Sequence, residues 1–186
     1  MAIYHPPTII NAYLQDKVSE YFKDNPLDGF EGDFTLPFFP TSPTDINTLT
    51  ETFPTSNGVF AVYDRMIRMR RNAFPHIKCE QLLYYFYAFG NNSVVQMIEI
   101  QSKVEDFLNN GDESAQDINA WFRQKQLSND PLVRTLSDGT TVPIDKVFFH
   151  NTKVYQLQET RDIIDFGTAR TYAGNKIIVD FDWHKG

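Results

Sequence analysis

The sequence predicts an α+β fold: an antiparallel or mixed β-sheet carrying an N-terminal helix and a central helix that is either kinked or split in two. Three observations predict it. In QLLYYFYAF, Leu82, Leu83, Tyr84, Tyr85, Phe86, Tyr87 and Phe89 are apolar or aromatic on both strand faces, which a strand tolerates when both faces are covered. In KIIVDFDW, Ile177, Val179, Phe181 and Trp183 alternate with Ile178, Asp180, Asp182 and His184, so one face is buried and the other polar. Between these strands, VVQMIEIQSKVEDFL carries apolar residues at helical spacing. A chain of 186 residues fits a single domain, 1–186, and can bury a substantial core.

Residues 8–23 read as the N-terminal helix, with one apolar stripe of Ile10, Tyr13, Leu14, Val18, Tyr21 and Phe22. Pro6 and Pro7 sit just before it, where a missing amide proton costs little, and Asn25-Pro26 stops it. Residues 27–58 form a Pro-rich connecting arm, interrupted at Pro37, Pro40, Pro43 and Pro54. Thr44 or Asp45 caps a short helix through Thr52, and Phe30, Phe34, Phe38 and Phe39 are the arm's anchors. An arm this long inside a compact domain is expected to be functional, packing on a neighbouring molecule.

Residues 59–186 hold the sheet and helix core. VFAVYDRMIRMRR is its first strand, NAFPHIK a turn, and the aromatic run the central strand, which passes through GNNS into the central helix. Gly111 breaks the helical pattern and Asp112, Glu113 or Ser114 restarts it, with Ile118, Trp121 and Phe122 continuing a stripe to about Gln126. Asn129-Asp130-Pro131 ends it. Asp138-Gly139, inside RTLSDGTTVPI, predicts a two-residue hairpin turn near 134–144; the arms carry few large apolar residues, so the hairpin projects. Three closing strands follow: VFFHNTKVYQLQ, ETRDIIDFGTARTY, and KIIVDFDW after a Gly174-Asn175 turn.

Composition narrows the function classes. A net charge of −7 and a pI near 5.0 argue against a dedicated nucleic-acid binder, whose affinity comes from clustered Lys and Arg. Cys79 stands alone, so neither a disulfide framework nor a thiolate metal cluster is expected. MAIYHPPTII has no basic stretch ahead of an apolar core, and no run of about eighteen apolar residues occurs, so neither secretion nor membrane spanning is indicated. With Phe 16 and Tyr 9, aromatics reach 15%, which fits either a Phe-rich core with Tyr edges or an interface surface.

The polar face of the last strand sets Asp180, Asp182 and His184 at two-residue spacing, a layout for a divalent metal to which Asp162 and Asp165 could be recruited. Any antiparallel strand with one wet face alternates in the same way, and the acidic pair followed by Glu-x-Lys is missing. His76 and Cys79, three apart, have the types of a base and a nucleophile, but no Asn or Asp is placed to orient the base, and a packed thiol accounts for Cys79. The motifs GxxxxGK[ST], GxGxxG, GxSxG, HExxH and paired CxxC are absent, which points to a non-enzyme without a cofactor. Arg65, Arg68, Arg70 and Arg71 concentrate positive charge on the first core strand. They serve either as protection of a solvated edge or as a basic patch facing carboxylates of a partner subunit. The interface candidates are therefore these four arginines with Phe34, Phe38, Phe39 and the hairpin's Asp138.

From about Gly58 to Trp183, the runs PHIKCEQLLYYFYAF into VVQMIEIQSKVEDFL, then TRDIID and GNKIIVDFDW, resemble the tail-terminator proteins of tailed bacteriophages. The likeness is to the tail completion and sheath-stabilising proteins at the neck of contractile tails. It is one of element order, helix, connection, two strands, helix on the sheet and closing strands. The Pro-rich segment from Leu27 to Phe53 and the Asp138-Gly139 hairpin have no counterpart in it. The resemblance implies a structural virion protein without catalytic residues, assembled in the bacterial host cytoplasm into a hexameric ring. Such a ring caps the tail tube or sheath and offers a docking surface to the neck and head-connector proteins. DNA at most passes through its lumen, and no membrane is involved. A ring needs a heterologous interface, one patch binding a different patch on the next copy. Two other readings stand beside it: a head-completion or connector adaptor, and a metal-dependent nucleic-acid enzyme acting through Asp162, Asp165, Asp180, Asp182 and His184.

Overall fold

The computed structural model describes residues 3–28, 36, 38–39, 58–69, 76–89, 93–156, 163–165 and 170–186. They form an α+β fold with helices α1 (Pro6–Asp24), α2 (Ser93–Leu108) and α3 (Asp112–Leu127). The strands are β1 (Phe38–Phe39), β2 (Gly58–Met69), β3 (Lys78–Phe89), β4 (Val133–Thr135), β5 (Thr141–Pro143), β6 (Val147–Gln156), β7 (Ile163–Asp165) and β8 (Arg170–Lys185). The main sheet is mixed, in the order β1-β2-β3-β8-β6, with β7 also on β8; β1 runs parallel to β2 and the other pairs are antiparallel. The aromatic run is the central strand, as its composition predicts. The last strand enters beside it rather than at an edge, so the sheet closes only when the C-terminal segment is in place.

Register separates the two sheet faces. Leu82 lies opposite Val179 and Tyr84 opposite Ile177, while Thr152 and Val154 of β6 lie opposite Phe181 and Val179. All of these but the buried Thr152, with Phe86, Phe149 and Trp183, form one buried cluster with the apolar stripes of all three helices. Glu80 shares this face at 1% exposure, and its carboxylate accepts a 2.6 Å hydrogen bond from Trp183 Nε1. A donor of that kind offsets part of the cost of taking a carboxylate out of water. On the opposite face Leu83 and Tyr87 are buried outside this cluster, whereas Gln81 and Tyr85 are half-exposed.

The first helix starts two residues before its predicted start at Thr8, because Pro6 and Pro7 occupy its first turn, where no intrahelical donor is needed. His5 is the N-cap: its Nδ1 accepts from the Thr8 amide at 3.3 Å and lies 2.7 Å from Thr8 Oγ1. At the other end the Asn25 amide donates to the Tyr21 carbonyl at 3.0 Å, and Pro26 follows. Trp121 Nε1 donates to Asp16 at 2.7 Å and its ring meets Tyr13 edge-on at 5.7 Å, joining α1 to α3. The Tyr84 hydroxyl donates to Asn11, joining α1 to the central strand.

The central helical pattern resolves into two helices. Gly111 has φ 59°, which breaks the helix, and its amide and carbonyl pair with Thr152 of β6 at 3.1 and 3.2 Å. Farther along β6, Asn119 of α3 grips Phe149 from both sides: Nδ2 donates to the carbonyl at 2.7 Å and Oδ1 accepts from the amide at 2.9 Å. A side-chain amide thus stands in for the next strand. It blunts an edge that would otherwise invite pairing with another chain.

Two turn predictions change. Gly174-Asn175 is no turn: β8 runs through it as a bulge, with Tyr85 opposite Lys176 on one side and Tyr87 opposite Ala173 on the other. The β3 ladder continues across both sides, so the chain does not reverse there. The β4–β5 hairpin turns over Leu136–Thr140 rather than over two residues. The Gly139 amide donates to the Leu136 carbonyl at 3.0 Å, the Leu136 amide to the Thr140 carbonyl at 2.8 Å, and Gly139 takes the left-handed conformation at φ 81°. Asp138 Oδ1 accepts from the Thr140 amide at 2.9 Å, which holds its carboxyl below the usual range.

Candidate interaction surfaces

The face of the sheet opposite the core cluster is the broadest candidate. In β8 it presents Lys176, Ile178, Asp180, Asp182 and His184 in a row, the polar face the alternation predicts. Beside them stand Gln81 and Tyr85 of β3 and Phe148, Lys153 and Tyr155 of β6. Aromatic rings here carry lysine ammonium groups: Lys176 lies 5.0 Å from the Tyr85 ring centre, Lys153 5.0 Å from Tyr155, and Lys146 4.8 Å from Phe148. Such cation–π pairs keep exposed rings compatible with water while leaving them available to a partner.

Asp180 Oδ1 accepts from Gln81 Nε2 at 2.6 Å, and Asp182 lies opposite Cys79 and Asn151. Between them a hollow of about 30 Å³, bordered by Cys79, Asn151, Lys153, Asp180 and Asp182, has room for about one water. His184 turns away to a different partner: its Nδ1 is 2.6 Å from His150 Nε2, with the rings stacked at 4.8 Å and Phe148 stacked on His184 at 5.2 Å. Burial lowers the His184 pKa, and the charges of His150 and His76 lower it further. The three residues predicted as a ligand row are therefore spread along the strand, and among the described residues no three His, Cys, Asp or Glu gather to hold a metal. Asp165 lies opposite Arg170, and Asp162 falls outside the described residues. His76 sits exposed in the β2–β3 connection, and Cys79 is half-buried on β3.

Of the arginines, Arg65 lies opposite Leu83 and Arg68 opposite Glu80, after a register shift between Tyr63 and Arg65. Arg70, Arg71 and Phe34 fall outside the described residues. Phe38 and Phe39 form β1, opposite Ala61 and Val62.

A second surface lies at the hairpin. Val133, Arg134, Thr135, Asp138, Thr141 and Pro143 are exposed, as predicted for a projecting element. Next to its base, α3 and the start of β6 enclose a groove of about 770 Å³, lined by Phe122, Arg123, Leu127, Ile144, Lys146 and Phe148. Leu127 is 80% exposed at its mouth, and Gln126 Nε2 donates to the Ile144 carbonyl at 2.9 Å along its floor. The sequence reading missed this groove, the Asn119 grip and the His150–His184 pair. A partial signal exists: Asn119, Arg123 and Leu127 recur every four residues on one face of α3, beside its apolar stripe. The strand they face is set only by tertiary packing.

Among the described residues no helix is long and apolar enough to cross a membrane. Comparison with protein-family models and with curated proteins gives no match for this chain.

Proposed function

We propose that this chain is a structural protein of a contractile-tailed bacteriophage particle, a tail terminator that assembles as a ring on the tail tube or sheath and presents the neck surface to the head connector. The observation that carries the reading is the partly exposed sheet face, where Tyr85, Tyr155 and Phe148 alternate with lysines and with the Asp180–Gln81 pair. Aromatic groups with a polar rim are what a protein interface uses. The order of elements in the sequence supports the same reading, since helix, connection, two strands, helix and closing strands follow as in that family. The six-fold ring, the sheath, tube and connector partners and the virion location belong to the proposal.

Native mass measurement of the full chain, together with electron microscopy of purified particles, tests it. A ring that occupies the neck is the expected result. A Tyr155→Asp, Ile178→Asp double variant should fold and fail to assemble, because it places new carboxylates on the open face. A monomer that is also missing from particles overturns the proposal, and a ring located inside the head connector replaces it with the adaptor reading.

A further inference from the structure

The hairpin and the groove beside it differ in the features a heterologous contact needs. The hairpin has two short strands that, among the described residues, pair only with each other, and their side chains are mostly exposed. A two-stranded ribbon of that kind is marginal in water without a surface to pack on. Its apolar residues are Val133, 45% exposed, and the half-exposed Leu136 and Val142, and its tip carries one carboxylate, Asp138. The groove has the complementary set. Phe122, Leu127 and Phe148 supply apolar surface; Arg123 and Lys146 supply two positive charges against the single carboxylate of Asp145, which accepts from the Ile3 amide, and Arg123 has no ion pair among the described residues.

The hairpin cannot fill its own groove. The groove begins at the hairpin's base, at Pro143 to Lys146, and the three residues of β4 carry the Leu136–Thr140 turn roughly 10 Å away from that base. The tip is therefore offered to another molecule, while the groove beside its base stays open to one.

We propose that the hairpin tip of one copy of this chain seats in the groove between α3 and β6 of a neighbouring copy, with Asp138 facing Arg123 and Lys146. Tip and groove are different patches, so the contact is heterologous and propagates from copy to copy until rotation closes it. The proposal adds to the ring suggested above a second contact between copies, apart from the sheet face, and rests on that reading only for the self-association itself.

A charge swap tests it, with the full chain followed by sedimentation over a range of concentrations. Asp138→Lys reverses the tip, and Arg123→Glu with Lys146→Glu reverses the groove; the altered side chains are exposed, and unfolding curves check that each variant folds. Each variant alone should associate at least about tenfold more weakly than the parent, since attraction becomes repulsion. An equal mixture should recover parental association to within about threefold, because the lysine tip meets the acidic groove and the aspartate tip meets the basic one. Asp138→Asn keeps the acceptor for the Thr140 amide and removes only the charge, so it should weaken association by a smaller factor. Single variants that associate like the parent, or a mixture no better than either variant alone, overturn the contact. A parent chain that stays monomeric at every concentration overturns the ring reading as well, which separates the two failures.

Discussion

Replacing Asn119 with alanine removes both hydrogen bonds that close the outer edge of β6 at Phe149. Each is worth about 0.5–1.5 kcal/mol net, and the freed Phe149 amide and carbonyl, partly covered by α3, recover only some of their hydration. The expected loss is about 2 kcal/mol, which lowers a urea midpoint by roughly 1 M for a typical slope of about 2 kcal/mol per molar. It also speeds hydrogen exchange at the Phe149 amide by roughly thirtyfold if that amide exchanges by local opening. Asn119→Asp separates the two bonds: the acceptor for the Phe149 amide remains, while a carboxylate now faces the Phe149 carbonyl where a donor stood. That variant should lose at least half as much stability as alanine. Its exchange at the Phe149 amide should stay nearer the parent's. Urea unfolding and exchange measured on the parent and both variants give the comparison. An alanine variant within about 0.5 kcal/mol of the parent, with unchanged Phe149 protection, refutes the claim that this side chain acts as the missing strand. If the claim holds, the alanine variant should also scatter more light at high concentration, because an open edge pairs with other chains.

Two further perturbations probe the core and the first helix. Trp183→Phe removes a donor to the buried Glu80 carboxylate along with part of the ring's volume, so stability should fall by about 1.5–3 kcal/mol in urea unfolding, and a change below about 0.5 kcal/mol would count against that bond. His5 gives a pH dependence with a definite sign. Burial, with Arg134's charge second, pushes its pKa from 6.5 down to about 4, so the unfolded chain binds its proton first. The stabilisation is therefore present at pH 7, is lost as pH falls from about 6.5 to about 4, and changes little below that. The full shift corresponds to roughly 3 kcal/mol, and partial solvent exposure reduces the expected loss to about 1–2 kcal/mol. His5→Asn retains a helix-capping acceptor without a titrating group. It should match the parent near pH 7 and lose less stability than the parent between pH 7 and pH 5, and an equal loss in both refutes the assignment.

By itself the sequence determined the elements whose identity rests on local periodicity. The apolar spacing of α1 and α2, the alternation of β8 and the two-faced apolar content of β3 are each written within a dozen or so residues, and the structure has them where the pattern put them. Legibility ended where the decisive partner is distant in the chain. Gly174-Asn175 has turn chemistry, yet the β3 ladder on both sides of it makes it a bulge. Gly111 marked a break, but its pairing with Thr152, forty-one residues on, decided that two helices and not one kinked helix follow. The same holds for the candidate surfaces. The polar row of Asp180, Asp182 and His184 could be read from alternation. That Asp180 meets Gln81 and His184 meets His150 depended on strand order, because side-chain direction is a local property and strand neighbours are not. For Asn119 only the helix face could be read locally, since closing a strand edge requires both the helix and the strand it closes.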